Sequence, residues 1–95
     1  MSVRALKQQL EEAAALLPTV VDASLTGTYS RRAYLQFIEY HELELAMEQL
    51  QGLGEGYEQE LPVRFWELLL ACAVAMQLPD LPAYYSRLIQ ARAGA

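Results

Sequence analysis

The spacing of apolar residues between positions 34 and 50 constrains the fold of this chain more than any other feature. In "YLQFIEYHELELAMEQL" apolar side chains recur every three or four residues on both sides of His41 and Glu42. That interval places them on one face of an α-helix, whereas a half-buried strand would alternate apolar and polar residues. His41 and Glu42 fall where the pattern requires an apolar residue. We therefore expect two helices that meet at His41-Glu42 and form a hairpin.

Three further segments have helical patterns. Residues 3 to 17 repeat apolar side chains at the same interval and stop at Pro18. Residues 63 to 77, "VRFWELLLACAVAMQ", are apolar nearly all round, which is typical of the central helix of a bundle. The last helix is expected from about Leu81 to Ala93.

Local signals predict where the helices begin and end. Ser30 can cap the second helix by accepting a hydrogen bond from its first turn, after a loop over residues 19 to 29. The glycines of "GLGEG" should end the third helix near Leu53, since Gly is costly inside a helix and suits a left-handed cap. Pro62 and Asp80 mark the starts of the last two helices.

These assignments predict an all-α fold in a single domain, residues 1–95. The expected architecture is a compact five-helix bundle, built from two helical hairpins plus an N-terminal helix, with a local shape similar to tetratricopeptide hairpins. The hairpins align with Glu42 opposite Asp80 and Leu50 opposite Leu88, an offset of 38 residues. That offset lies near the period of helix-hairpin repeats.

Acidic residues are concentrated in the middle of the chain, which has a formal net charge of -5. Seven glutamates occur there with no Lys or Arg between them: Glu39, Glu42, Glu44, Glu48, Glu55, Glu58 and Glu60. Such a segment repels phosphate, so we expect no nucleic acid partner and favour a cationic protein surface. The alternative is an acidic face that only contacts water.

The sequence indicates a cytoplasmic location. Cys72 is the only cysteine, so no intramolecular disulfide can form. The N-terminus carries Glu11 and Glu12 where a signal peptide would need its apolar stretch. The longest apolar stretch, Leu68 to Met76, is shorter than the about 20 residues of a membrane span. We expect no membrane association.

We expect no enzymatic activity and no metal or cofactor. His41-Glu42 could open the zinc motif H-E-x-x-H, but position 45 is Leu and the chain has no second histidine. Cys72 lies in "LLLACAVAM", where apolar surroundings should raise the pKa of its thiol and keep it unreactive.

Parts of the chain resemble a known protein family. "YLQFIEYHELELAMEQL" followed by "FWELLLACAVAMQL" is similar to MafI-type and other small bacterial immunity proteins, over roughly residues 31 to 88. In that family a helical turn ending in Glu leads into an A-x-x-x-L helix, here Ala46 to Leu50. The resemblance implies a protein encoded beside a polymorphic toxin, which it neutralises by binding.

A row of polar side chains is the predicted contact surface. Glu44, Glu48, Gln51 and Glu55 recur at helical spacing opposite the apolar face of the third helix, so they should share its exposed side. We expect this row, with Glu42, Tyr40 and Tyr57, to bind a cognate toxin such as a nuclease. The alternative is a helical adaptor or homodimerising scaffold that associates through surplus apolar surface around Trp66, Tyr84 and Tyr85.

Overall fold

The computed structural model describes residues 1–18, 29–58 and 60–94. Within these ranges the chain forms five helices and no strand: α1 (Val3–Ala15), α2 (Arg31–Glu39), α3 (Leu43–Glu55), α4 (Val63–Ala75) and α5 (Leu81–Ala93). The predicted all-α fold is confirmed, and so is the break at His41-Glu42. The loop expected over residues 19 to 29 lies, except for Tyr29, outside the described residues. No helix in these ranges has the length and hydropathy of a membrane span.

The helices pack as two hairpins with α1 laid across them. α2 packs on α3, α4 packs on α5, and α1 contacts α4 extensively and α3 less. α4 therefore lies between α1 and α5, which explains why its sequence is apolar nearly all round. Its side chains Phe65, Trp66, Leu69 and Cys72 are fully buried. The Trp66 ring meets Phe65 edge-on at 4.8 Å between centroids and stacks on Tyr85 at 6.0 Å.

The corners of the two hairpins share one backbone motif. His41 and Gln77 both adopt left-handed conformations, with φ of 58° and 57°. At the first corner the amide of Glu42 donates to the carbonyl of Phe37, and that of His41 donates to Ile38. This is the Schellman arrangement, which satisfies helix carbonyls that have no partner inside the helix.

The second corner repeats these bonds but contains two more residues before the next helix. There the amide of Leu78 donates to the carbonyl of Ala73. The left-handed residues His41 and Gln77 are therefore 36 positions apart. Leu43 and Leu81, the first residues of α3 and α5, are 38 positions apart, which is the predicted offset.

The end of α3 differs from the prediction. The helix continues past Leu53 to Glu55, and Gly52 and Gly54 lie inside it, both buried. A Cβ at Gly54 would stand 2.5 Å from Cε1 of Phe65, and one at Gly52 would overlap the ring of Tyr29. The glycines therefore permit close aromatic packing, which outweighs their helix cost of about 1 kcal/mol each. The predicted left-handed cap was wrong: Gly56, the C-cap, has φ of -72°.

The other predicted helix ends are close to those observed. Ser30 caps α2 as expected, because its Oγ accepts a hydrogen bond from the amide of Ala33 at 3.0 Å. Pro62 and Asp80 occupy the N-cap positions of α4 and α5, although neither side chain makes a capping bond. α1 ends at Ala15, two residues before the end of its apolar pattern.

Candidate partner-binding surface

The corner between α2 and α3 presents Tyr40 and Glu42 to solvent. The Tyr40 side chain is 72% exposed, and Glu42, the N-cap residue of α3, is exposed without a capping bond. The left-handed backbone of His41 turns the chain at this point. Two of the predicted contact residues thus lie together at one end of the hairpin.

The row along α3 divides into an open half, Glu44 and Glu48, and a half that is hydrogen-bonded to tyrosines of α5, Gln51 and Glu55. Glu44 and Glu48 are exposed, as predicted. Gln51 is half-buried, because the Tyr85 hydroxyl of α5 donates a hydrogen bond to its Oε1 at 2.6 Å. Glu55 accepts hydrogen bonds from the Tyr84 hydroxyl and from Nε2 of Gln51. The expectation that all four side chains share an open side is therefore wrong for Gln51.

The two tyrosines of α5 that bond to Gln51 and Glu55 remain hydrogen-bond donors at neutral pH. Burial raises the pKa of Tyr84 above its ordinary value, and its hydrogen bond to Glu55 raises that pKa further. Burial is also the main cause that raises the pKa of Tyr85. Both hydroxyls thus stay protonated, and their contacts with Gln51 and Glu55 join α5 to α3.

Tyr57 lies apart from the corner. It is half-buried after the C-terminal end of α3 and packs against the core. Tyr40 precedes the other end of the same 13-residue helix, and such a helix is about 20 Å long. The structure brings Tyr40 and Glu42 together with the open half of the row, but it does not bring Tyr57 to them.

A groove on the outer side of the α2–α3 hairpin was missed by the sequence analysis. Gln36, Phe37, Tyr40, Glu42 and Leu45 line it. Leu45 is 40% exposed. The signal was present in the sequence, since Leu45 stands outside the apolar face formed by Leu43, Ala46, Met47 and Leu50.

The acidic residues around this surface form no ion pair within the part of the chain that the structure describes. Within residues 1–18, 29–58 and 60–94, no ion pair includes any of the seven acids between Glu39 and Glu60. The ion pair that does form joins exposed Arg64 and Glu12, with Nη2 and Oε1 3.3 Å apart. The carboxylates on the open half of α3 are therefore exposed and form no ion pair within the described residues.

The histidine and cysteine considered for chemistry lie in different surroundings. His41 is exposed at the corner, and no group of three His, Cys, Asp or Glu side chains in the described part of the chain could hold a metal ion. Cys72 is buried, and burial raises the pKa of its thiol to about 11, in the direction predicted.

The surplus apolar surface expected around Trp66 and Tyr85 is not present, because both side chains are fully buried. Tyr84 is half-buried. The prediction was wrong because the Trp66 ring packs between Phe65 and Tyr85. A homodimer would need a different contact surface.

Comparison with known proteins found no matching family model, curated protein or solved structure. The resemblance to MafI-type immunity proteins thus rests on the quoted motifs alone.

Proposed function

We propose that this protein is a non-enzymatic binding protein, and that it acts as an immunity protein that neutralises a cognate bacterial toxin. The observation that carries the proposal is the set of exposed carboxylates on the open α3 face, which form no ion pair within the described residues. Glu44 and Glu48 are exposed on this face, and Glu42 is exposed at its N-terminal end. A cationic partner would relieve the repulsion among these carboxylates, and their field would speed its approach.

A nuclease fits this chemistry. The surface of a nuclease that binds the phosphates of its substrate is cationic. A row of carboxylates can occupy such a surface in place of nucleic acid, and a bound protein would then exclude the substrate. In this proposal the chain inhibits by occupying the surface in equal stoichiometry and performs no chemistry of its own.

The first experiment captures the partner on the purified full chain, using an extract of the cells that encode it. The immunity function requires recovery of one protein at equal stoichiometry. That protein should be toxic when produced alone in bacteria, and co-production with this chain should remove the toxicity. Recovery of only further copies of the chain would refute the immunity proposal.

The second experiment measures the association rate of the captured partner. The double variant Glu44→Gln/Glu48→Gln should associate about tenfold more slowly at low salt, because charge steering acts mainly on the association rate. The matched control is Glu67→Gln/Asp80→Asn, which removes the same charge from exposed positions outside α3. Equal rates for the two double variants would show that the α3 face is not the contact surface.

The alternative function, a helical adaptor or homodimerising scaffold, has one observation in its favour. Leu35, Tyr40 and Leu45 expose apolar surface on the α2–α3 hairpin. Sedimentation equilibrium of the purified chain separates the two functions, because a tight dimer that captures no other protein would favour the scaffold.

A further inference from the structure

We infer that the groove lined by Gln36, Phe37, Tyr40, Glu42 and Leu45, here called the corner groove, binds a cationic amphipathic helix of the partner protein. This inference rests on the proposed function and states the chemistry of the partner. The apolar stripe of the partner helix lies against Tyr40 and Leu45, and its Lys or Arg side chains face the carboxylates of α3.

Three of the residues that line the corner groove have apolar or aromatic side chains. Tyr40 and Leu45 are exposed, and the half-buried Phe37 also packs against the core. Covering these three side chains removes apolar surface from water, which favours binding by about 25 cal/mol per Å² before the costs of association. Tyrosine is also among the residues that most often dominate binding energy.

The elements that line the groove favour one backbone conformation of the bound segment. The lining residues come from α2, α3 and the corner between them, and the backbone hydrogen bonds of a helix interior are made within the helix. An extended peptide would therefore find no strand edge with which to pair. A helix satisfies its own backbone groups and presents apolar residues at i, i+3 and i+4, which fits a groove that offers only side chains.

The charges around the groove favour a positively charged partner. Glu42 lines the groove, and Glu48 lies one helical turn beyond Leu45 on α3. Between Arg32 and Arg64 the chain contains no Lys or Arg. The α3 side of the groove is thus acidic, and it complements a helix that carries cations beside its apolar stripe.

The test uses a defined probe and the full chain. The probe is a synthetic peptide of about 18 residues made of Leu and Lys, with leucines at i, i+3, i+4 and i+7 so that they share one helical face. A peptide of the same composition in scrambled order is the control. Binding is followed by fluorescence anisotropy, and the contact surface is mapped by amide chemical shifts of the isotope-labelled protein.

We expect the largest amide shifts at Phe37, Tyr40 and Leu45, with weaker binding of the scrambled peptide. The variant Tyr40→Ser/Leu45→Ser should weaken binding about tenfold or more, as for central residues of an interface. Both side chains are exposed, so the fold should tolerate the change. The control is Val74→Ser on α4, where 59% of the side chain is exposed, and it should leave the affinity unchanged.

The inference would be overturned by no binding of the peptide, by shifts confined to glutamates outside the groove, or by equal weakening in the Val74→Ser control. A dimer in sedimentation that the double variant dissociates would also overturn it, because a second copy of the chain would then occupy the groove. If the captured partner tolerates Tyr40→Ser/Leu45→Ser but associates slowly with Glu44→Gln/Glu48→Gln, the groove inference fails while the proposed function stands.

Discussion

The Tyr85 hydroxyl of α5 donates a hydrogen bond to Oε1 of Gln51 on α3, over 2.6 Å. This bond joins the second hairpin to the first, and it takes Gln51 out of the row that the sequence places in solvent. Tyr84 makes the same kind of contact with Glu55 one helical turn further along α3. Glu55 remains exposed, so Gln51 is the member of the predicted row that these contacts partly withdraw from solvent.

Removing the same hydroxyl from two buried tyrosines should change stability in opposite directions. Tyr85→Phe removes the bond to Gln51 and should lower the free energy of unfolding by about 1 kcal/mol. The Tyr34 hydroxyl is buried and has no hydrogen-bond partner among the residues that the structure describes. Tyr34→Phe should therefore raise the free energy of unfolding, by up to about 1 kcal/mol, because it removes an unsatisfied group. Urea denaturation of both variants measures the two changes. If Tyr34→Phe lowers the free energy of unfolding as much as Tyr85→Phe does, the Tyr34 hydroxyl is not an unsatisfied group.

Two glycines at the end of α3 should respond differently to alanine. Gly54→Ala places a Cβ 2.5 Å from Cε1 of Phe65, so we expect the free energy of unfolding to fall by about 1 to 3 kcal/mol. At Gly56 the nearest atom to a new Cβ is the Leu53 carbonyl oxygen, 3.6 Å away. Gly56→Ala should be neutral or raise stability by up to about 1 kcal/mol. Thermal unfolding followed by circular dichroism compares the pair, and equal shifts in Tm would show that Phe65 does not constrain Gly54.

Glycine should stabilise the first corner. His41 has φ of 58°, and a residue with a Cβ pays about 1 to 2 kcal/mol in that region. His41→Gly removes this cost, but glycine loses more backbone entropy on folding than histidine does. We therefore expect the free energy of unfolding to rise by a net amount of about 0.5 to 1 kcal/mol. The control is Gln36→Gly at an exposed position in the middle of α2. This change should lower the free energy of unfolding by about 1 kcal/mol, because glycine is unfavourable inside a helix. Urea denaturation measures both variants. A lower free energy of unfolding for His41→Gly as well as for Gln36→Gly would contradict the left-handed conformation of residue 41.

Stability should fall with rising pH above about 9 because of Cys72. The unfolded chain releases the thiol proton near its ordinary pKa of 9.0, whereas burial raises the pKa in the folded protein to about 11. Between these values the unfolded state holds fewer protons, so the free energy of unfolding falls by up to about 1.4 kcal/mol per pH unit. Below pH 9 the contribution is fully present.

The matched variant for this pH dependence is Cys72→Ala, which has no thiol to titrate. Buried tyrosines titrate in the unfolded chain near pH 10 and add their own slope there. The difference between the two slopes, taken from urea midpoints between about pH 8 and 9.5, therefore isolates the cysteine, because both proteins share the tyrosine contribution. Equal slopes for Cys72→Ala and the unchanged protein would show that the thiol does not contribute.

The sequence by itself determined the number of helices, most of their bounds and the position of the first corner. These features depend on interactions within about four residues, such as the apolar spacing around Tyr34 and Leu50 or the capping bond of Ser30. Because such interactions are local, the sequence also correctly placed Glu44 and Glu48 on an exposed face. The acidic charge of that face follows from the same local pattern.

The tertiary structure decided which parts of each helix are covered, because that depends on residues far apart in the chain. Gly54 lies inside α3, where Phe65 packs against it, and Gln51 is half-buried because Tyr85 reaches it from α5. Leu45 and Tyr40 remain exposed because α1 and the second hairpin pack elsewhere on the molecule. Helical spacing identifies the face that a residue occupies, and only the packing of the helices decides whether another helix covers it.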